Sequence, residues 1–274
     1  MKRFIKIAKS SKIYIFSLIF IAILVFVSLI APLLPIDPAA TDVANLSQSP
    51  SLQHLFGTDE VGRDYFIRVI YGGRISLIVG LLAMVTSVTI GTIVGLIAGY
   101  VGGVVDTLLM RLVDVLSSIP WLVLVIVLSV FLKPGIGSII IVIGCFSWMR
   151  LASLVRAATL SAKEYDYVVY SRFSGVKTIS ILKKHIIPAI IPTLVVAASA
   201  SIANAIMTEA ALSFLGLGIQ QPMTSWGTLL QNAQQSLQRA PHMAIIPGLF
   251  VMLTIYSFNN IGNLLTKYIQ KEEQ

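Results

Sequence analysis

A single carboxylate interrupts one of the longest apolar stretches of the sequence and is a candidate for chemistry inside a membrane. Glu209 ends the uncharged stretch 185–208, and Asn204 and Thr208 precede it. Because a carboxylate at the centre of a membrane helix costs about 2.5–3.5 kcal/mol on insertion scales, it needs a compensating role. Two hypotheses stay open for Glu209: a hydrogen bond that packs helices together, or a polar group that lines a transport pathway with Asn204 and Thr208.

The residue types that enzymes use for catalysis and metal binding are scattered along the chain. His54, His185 and His242 are isolated from one another, and Cys145 is the one cysteine. Neither the phosphate-binding pattern G-x-x-x-x-G-K-[ST] nor the zinc-binding pattern H-E-x-x-H occurs. The sequence therefore predicts no enzymatic activity, no cofactor and no metal in this chain.

The amino-acid composition indicates that much of the chain lies in membrane-spanning helices, which must position the polar residues. Hydrophobic residues make up 56% of the 274 residues and charged residues only 12%, about half of the usual charged share. These values exclude a disordered chain and a typical soluble enzyme. A membrane-crossing helix needs roughly 20 mostly apolar residues. We therefore predict an all-α integral membrane protein with six transmembrane helices, at 13–34, 76–99, 112–132, 136–157, 189–212 and 243–266.

The basic residues predict the orientation of these spans. With six crossings, 15 of the 20 Lys and Arg residues lie on one side, which identifies it as the cytoplasmic side. Both termini are therefore expected in the cytoplasm, and the net charge of +8 reflects topology rather than nucleic-acid binding. The predicted divisions are a basic cytoplasmic N-terminus at 1–12, an external loop at 35–75, a five-helix core at 76–266 and a cytoplasmic tail at 267–274. The core includes a cytoplasmic segment at 158–188 and an external loop at 213–242.

The external segments contain turn residues that could also form a docking surface. Thr58 or Asp59 could cap a helix that leads into the second span. A structural turn and a surface for an external partner remain alternative interpretations. Trp226, in the later external loop, is typical of a membrane interface. The docking candidates are Gly57, Thr58, Asp59, Gly62, Arg63, Asp64 and Trp226.

The cytoplasmic segment reads as two short helices separated by a glycine. Asp166 can cap the first helix, Gly175 can end it, and Thr178 can cap the second, with Pro188 as the next boundary. Its aromatic residues exceed what a linker needs, so it could lie on lipid headgroups or insert into the groove of a soluble partner. Elsewhere on this side, the spacing of Arg111 and Asp114 predicts a local salt bridge.

Six short stretches occur in an order and spacing that is typical of one family: 56–64, 71–77, 106–114, 118–120, 209–218 and 225–227. In them the chain resembles the inner-membrane permeases of ABC importers for dipeptides, oligopeptides and nickel. It is most similar to the second of the two permeases in such systems. The resemblance implies a type I ABC importer permease fold with a cytoplasmic coupling helix.

The cytoplasmic segment resembles the coupling motif of that family, which contacts the ATPase subunits. The resemblance assigns this contact to Asp166, Tyr167, Val168, Val169, Tyr170, Ser171, Arg172, Gly175, His185 and Pro188. The family usually has Glu-Ala-Ala where this chain has Val169-Tyr170-Ser171. Without that carboxylate, docking is expected to depend on shape and apolar contact.

The resemblance also implies the partners and the transported substrate. The expected partners are a second permease in a heterodimer, two ATPase subunits that hydrolyse ATP, an extracytoplasmic substrate-binding protein and the lipid bilayer of the cell membrane. Short peptides are the first expectation for the substrate, and nickel or a metal chelate is the second. Two hypotheses of other classes are a proton-coupled secondary transporter that uses Glu209 and a membrane scaffold that transports nothing.

Overall fold

Helices and connecting loops make up the chain in a computed structural model, which describes residues 4, 7–33, 36–133 and 135–270. Parts of the predicted N-terminus 1–12 and of the tail 267–274 lie outside these residues. The helices are α1 (Lys12–Ile30), α2 (Tyr65–Val101), α3 (Gly103–Ser118), α4 (Trp121–Phe131), α5 (Ile136–Ala162), α6 (Asp166–Phe173), α7 (Thr178–Ile181), α8 (Ile187–Phe214), α9 (Trp226–Ser236) and α10 (His242–Gln270). A π-helical turn, Leu182–Ile186, joins α7 to α8.

Within the described ranges, 5 continuous helical stretches are long and apolar enough to cross a membrane. They are Lys12–Leu33, Tyr65–Val101, Ile136–Ala162, Thr178–Phe214 and His242–Ile269. Each contains one of the predicted spans or nearly all of it. The prediction of an all-α, multi-pass membrane protein is therefore confirmed.

The predicted third span at 112–132 is wrong as a continuous helix. Helix α3 ends at Ser118, Ile119 has an extended backbone, and α4 begins after Pro120. Proline disfavours helical backbone at the residue before it, which explains the break. An apolar composition indicates that a segment can lie in a membrane, but it does not show whether that segment forms one continuous helix.

Small residues allow α2 and α5 to approach closely and in parallel. Gly91 of α2 lies against Leu151, and Gly99 lies against Thr159, so both contacts join residues 60 positions apart. Because the two helices run in the same direction, the chain between them must return along their length. Helices α3 and α4 make this return together, and they replace the single helix predicted for the third crossing.

Gly95 provides a test of this close packing. A Cβ atom at Gly95 would lie 2.6 Å from the carbonyl oxygen of Ala152 and 2.7 Å from the Cβ of Val155. Gly95→Ala should therefore separate the helices and lower the free energy of unfolding by about 1–3 kcal/mol. The matched control is Gly137→Ala in α5, where a Cβ would meet nothing within 4 Å. Thermal unfolding of both variants in detergent measures the difference, and equal stability would contradict this packing.

Helices extend into both of the segments predicted as external loops. Asp64 caps α2, accepting a hydrogen bond from the backbone N–H of Ile67 at 3.1 Å. The first loop therefore ends at Asp64 rather than at residue 75, and the cap is neither Thr58 nor Asp59. In the second loop, Ser225 and Thr228 form a reciprocal capping box at the start of α9.

Candidate functional site

A buried carboxylate organises the loop that precedes α2. Asp59 has no exposed surface, and its carboxylate accepts hydrogen bonds from the Arg63 side chain at 2.6 Å and from the backbone N–H groups of Val61 and Arg63 at 3.0 Å. The guanidinium of Arg68 also pairs with it. Burial alone would raise the pKa of Asp59. The hydrogen bonds and the charge of Arg68 outweigh burial, so the pKa lies below its ordinary value.

Two glycines let this loop fold back closely on itself. Gly57 and Gly62 have φ values of 76° and 80°, in the region that favours glycine. A Cβ at Gly62 would lie 1.8 Å from the carbonyl oxygen of Asp42. Thr58 completes the loop by donating a hydrogen bond to the carbonyl of Asn45. These residues therefore have structural roles within the loop.

The lowered pKa of Asp59 predicts a pH-dependent contribution to stability. The carboxylate stabilises the loop fully above its unfolded pKa of about 3.9, and this stabilisation is lost as the pH falls through the lower folded-state pKa. Asp59→Asn should cost about 1–3 kcal/mol at neutral pH, because it weakens the hydrogen bonds of buried Arg68. Unfolding of both proteins between pH 7 and pH 3 tests the sign. A stability difference that grows on acidification would contradict it.

Glu209 lies at the junction of α2, α8 and the loop before α9. Its side chain has no exposed surface. Its two oxygens accept hydrogen bonds from Ser76 at 2.9 Å and from Ser213 at 2.7 Å. The Ser76 hydroxyl also accepts a 3.3 Å hydrogen bond from the backbone N–H of Trp226. This geometry matches the first hypothesis for Glu209, a hydrogen bond that packs helices together.

Trp226 is fully buried, so it does not occupy an exposed membrane interface as predicted. Its indole N–H donates to the carbonyl of Val69 at 2.9 Å. A Cβ at Gly73 would lie 2.7 Å from the Trp226 ring, which shows how closely the ring packs on α2. Trp226 thus joins the start of α9 to the N-terminal part of α2.

A large cleft opens between α5 and α8 and has a volume of about 1180 Å³. Its walls consist mainly of small, apolar and hydroxyl side chains, with the end of α10 as a third border. Asn204 of α8 is exposed at one end, and Tyr165 and Ala189 lie at the other. The cleft therefore extends from the middle of the helices to the segment that contains α6 and α7.

The segment after α5 forms the predicted helix–glycine–helix element. Helix α6 ends in a Schellman motif, in which Gly175 (φ 74°) and Val176 donate backbone hydrogen bonds of 3.1 Å to Arg172 and Ser171. Three details of the prediction are wrong. Tyr165, rather than Asp166, occupies the N-cap of α6, and Lys177, rather than Thr178, occupies that of α7. Pro188 does not form a boundary because helix continues through the π-turn into α8.

This segment has a buried face and an exposed aromatic face. Val168, Ile181 and Ile186 are buried against α2, α5 and the start of α8. On the other face Phe173 and Tyr170 are 83% and 75% exposed. The buried face fixes the element to the transmembrane helices, and the exposed face is available to a partner. We call residues 164–188 the coupling segment.

Comparison with known proteins identifies the family. Residues 91–272 match the family described as the binding-protein-dependent transport system inner membrane component. The chain belongs to this family. Residues 1–50 of the permease match a second family, the N-terminal TM domain of oligopeptide transport permease C.

Named relatives are similar over nearly the whole permease. The oligopeptide transport system permease protein OppC of Haemophilus influenzae is 40% identical over 96% of this chain and 86% of its own length. The dipeptide transport system permease protein DppC of Bacillus subtilis is 37% identical over 93% of this chain and 80% of its own length. A glutathione transport system permease protein, GsiD of Escherichia coli, is 41% identical over 81% of this chain and 73% of its own length.

A solved structure has the same fold. A chain from inward-facing conformations of the MetNI methionine ABC transporter matches with a TM-score of 0.61 and 17% identity, covering 74% of the permease and 96% of that chain. The type I importer permease fold that the sequence predicts is therefore confirmed.

The permease brings its predicted coupling residues together in one element. Asp166 to Gly175 form α6 and its end, His185 lies in the π-turn, and Pro188 lies in the first turn of α8. Ser171 donates to the backbone carbonyl of Tyr167 at 2.7 Å and lies 3.4 Å from Nε2 of His185, which links α6 to the π-turn. Their contact with ATPase subunits stays a prediction.

The predicted external docking residues are mostly inside the permease. Gly57, Thr58, Asp59, Gly62 and Trp226 are buried. Arg63 and Asp64 are partly exposed, and Asp64 also lies 2.9 Å from Nδ1 of His54. The buried residues match the interpretation as a structural turn, and only Arg63 and Asp64 offer surface to an external protein.

Sequence reasoning missed several long-range contacts of the permease. Arg156 of α5 pairs with Asp106 of α3 at 2.5 and 2.6 Å. Among the described side chains, Arg111 and Asp114 form no salt bridge, so that prediction is wrong. The position of Arg150 along the cleft was also missed. Its charge within an apolar stretch was the available signal.

Proposed function

We propose that this permease is one of two transmembrane subunits of an ATP-driven importer for short peptides. The two-faced coupling segment is the observation that carries this proposal. Its buried face packs on α2, α5 and α8, while Tyr170 and Phe173 project from the other. A pushing force on the exposed face would therefore reach three long helices directly.

The exposed aromatic face suits insertion into a groove of an ATPase subunit. Large aromatic side chains supply much of the binding energy at protein interfaces. Tyr170 and Ser171 replace the usual pair of alanines with larger side chains, and Val169 replaces the usual glutamate with an apolar side chain. Apolar contact thus takes the place of an ion pair in this docking.

We propose that the cleft between α5 and α8 forms this subunit's half of the translocation pathway. Its volume of about 1180 Å³ exceeds that of a typical small-molecule pocket, which is about 300–1,000 Å³. Asn204 lies in its lining, and Thr208 is half-exposed one turn further along α8. A second, related permease would close the open side, and an external binding protein would deliver the peptide.

The names of the relatives favour peptides over nickel. OppC and DppC are named as oligopeptide and dipeptide transport permeases. In the described part of the chain, no group of three or more His, Cys, Asp or Glu side chains could hold a metal ion. Both termini are proposed to face the cytoplasm, on the side of the coupling segment.

Reconstitution of the complete complex tests this function. Vesicles that enclose ATP and contain both permeases and the ATPases should accumulate a labelled short peptide when the binding protein is present outside. Uptake should stop without ATP and should persist with a proton uncoupler at constant ATP. Uptake by this chain alone, or uptake that the uncoupler abolishes, would contradict the proposal.

A further inference from the structure

A positive charge lies about halfway along α5, in the lining of the proposed pathway. Arg150 is in the lining of the cleft and is exposed. It follows Ile136 by 14 residues and precedes Ala162 by 12, which places it roughly 18–21 Å from either end of α5. A charged residue at this depth is costly in lipid and normally faces a polar cavity or a partner.

The surroundings of Arg150 do not explain its charge. Within the described part of the chain, Arg150 is the one charged residue of the cleft lining, and the ion pairs found there do not include it. By contrast, Arg156, two turns nearer the cytoplasm, is held by Asp106. The two arginines of α5 thus differ, and only Arg150 can offer its guanidinium to a ligand in the cleft.

The other polar groups of the lining complement a peptide. Asn204 carries both a hydrogen-bond donor and an acceptor. The Ser153 and Ser201 hydroxyls donate to carbonyls of their own helices at 3.3 and 2.8 Å, which leaves oxygen lone pairs for a ligand's amide N–H groups. The lining has no carboxylate that would repel an anion.

We propose that Arg150 binds the C-terminal carboxylate of the peptide as it passes through the cleft. This inference rests on the proposed function and adds a specificity-determining residue to it. A guanidinium binds a carboxylate through two parallel hydrogen bonds. Arg150 therefore favours peptides with a terminal carboxylate over the same peptides with a terminal amide.

The experiment compares two forms of one short peptide in vesicles with the complete complex. In Arg150→Gln, initial uptake of the free-acid peptide below saturation should fall by about 10- to 100-fold, while uptake of the amide should change by less than about 3-fold. The ratio of variant to wild type is taken for each peptide, so the binding protein's own preference cancels. Arg150→Lys keeps the charge but loses the paired hydrogen bonds, so its loss of free-acid uptake should be smaller than that of Arg150→Gln. Arg111→Gln on α3 is the control outside the cleft.

The outcomes separate this role from others. An equal loss for both peptides would show a structural role or a pair with the second permease, and no loss would show no role; either overturns the proposal. The assay is repeated with and without anionic lipid. A loss that depends on the lipid but not on the peptide would assign Arg150 to a lipid headgroup. If the wild-type complex imports neither peptide, the proposed function fails first.

Discussion

Replacing the two most exposed aromatic residues of the coupling segment should nearly abolish uptake while the permease remains folded. In Tyr170→Ala/Phe173→Ala, the retention of ATPase subunits during purification and the ATP-driven uptake of peptide should each fall by at least about 100-fold. Truncation of a single central aromatic anchor costs about 2 kcal/mol or more at an interface. Because every 1.4 kcal/mol changes an equilibrium tenfold, two such losses are sufficient even when they are only partly additive.

The structure supplies a closely matched control for this experiment. Phe131 at the end of α4 is 81% exposed, almost the same as the 83% of Phe173. It lies outside the coupling segment. Phe131→Ala should therefore leave ATPase retention unchanged, although it removes about as much exposed aromatic surface as the Phe173→Ala half of the double variant.

The double variant should not disturb the attachment of the coupling segment. Val168 and Ile181 hold this segment through its opposite, buried face. Unfolding temperatures of the double variant and the wild type should thus agree closely. If ATPase retention and uptake are unchanged in the double variant, the exposed face is not the docking surface and the proposed mechanism is wrong.

Local patterns in the sequence were sufficient to predict the elements that these experiments use. Gly175 after an amphipathic stretch predicted the end of α6, since glycine adopts left-handed backbone without strain. Long uncharged stretches predicted the long helices, because lipid excludes charge over a fixed thickness. The long helices and the two-helix coupling segment could therefore be predicted from neighbouring residues, whereas the type I importer fold followed from the resemblance to a family.

The errors arose where distant residues decide the structure. Helix α2 begins eleven residues before the predicted span, although Arg68 lies in its first turns. Burial of Arg68 is possible because Asp59 neutralises it from the folded loop. A charge count treats each residue separately and cannot anticipate such a pair. Asp64 at the N-cap was the local signal that would have corrected the boundary.

At Pro120 a local signal for a helix break was present, but the prediction gave more weight to the apolar composition around it. The stretch 115–132 is uncharged, so it satisfies a hydropathy criterion. The same stretch contains Pro120, which separates α3 from α4. Backbone chemistry therefore overrides composition at this position. The return of the chain between two parallel helices follows only from the packing of α2 on α5.

Glu209 provides the second large expected effect, and it separates a structural role from proton transport. Glu209→Ala should lower the free energy of unfolding by about 3–5 kcal/mol. The change leaves a cavity and deprives the Ser76 and Ser213 hydroxyls of their acceptor in a buried place. The protein should then fail to accumulate in the membrane or to import peptide.

Glu209→Gln should behave very differently. Glutamine has the same shape, its amide oxygen can accept from one serine, and its amide N–H can donate to the other after the hydroxyl rotates. We expect this variant to lose about 1 kcal/mol or less and to retain uptake within about 3-fold of the wild type. Met207→Ala is the control on the same helix, because Met207 is 61% exposed and its truncation should have little effect.

The comparison of the two Glu209 variants decides between the hypotheses that the sequence left open. A side chain that only packs helices needs hydrogen-bonding atoms in the right places, and glutamine provides them. A side chain that carries protons must gain and lose one, which glutamine cannot do at any physiological pH. Stable Glu209→Gln protein with no uptake would therefore favour the proton-coupled transporter. Stable protein with nearly normal, ATP-dependent uptake would support the packing hypothesis. Glu209 would then hold α8 to α2 through its hydrogen bond with Ser76 while the coupling segment moves the helices.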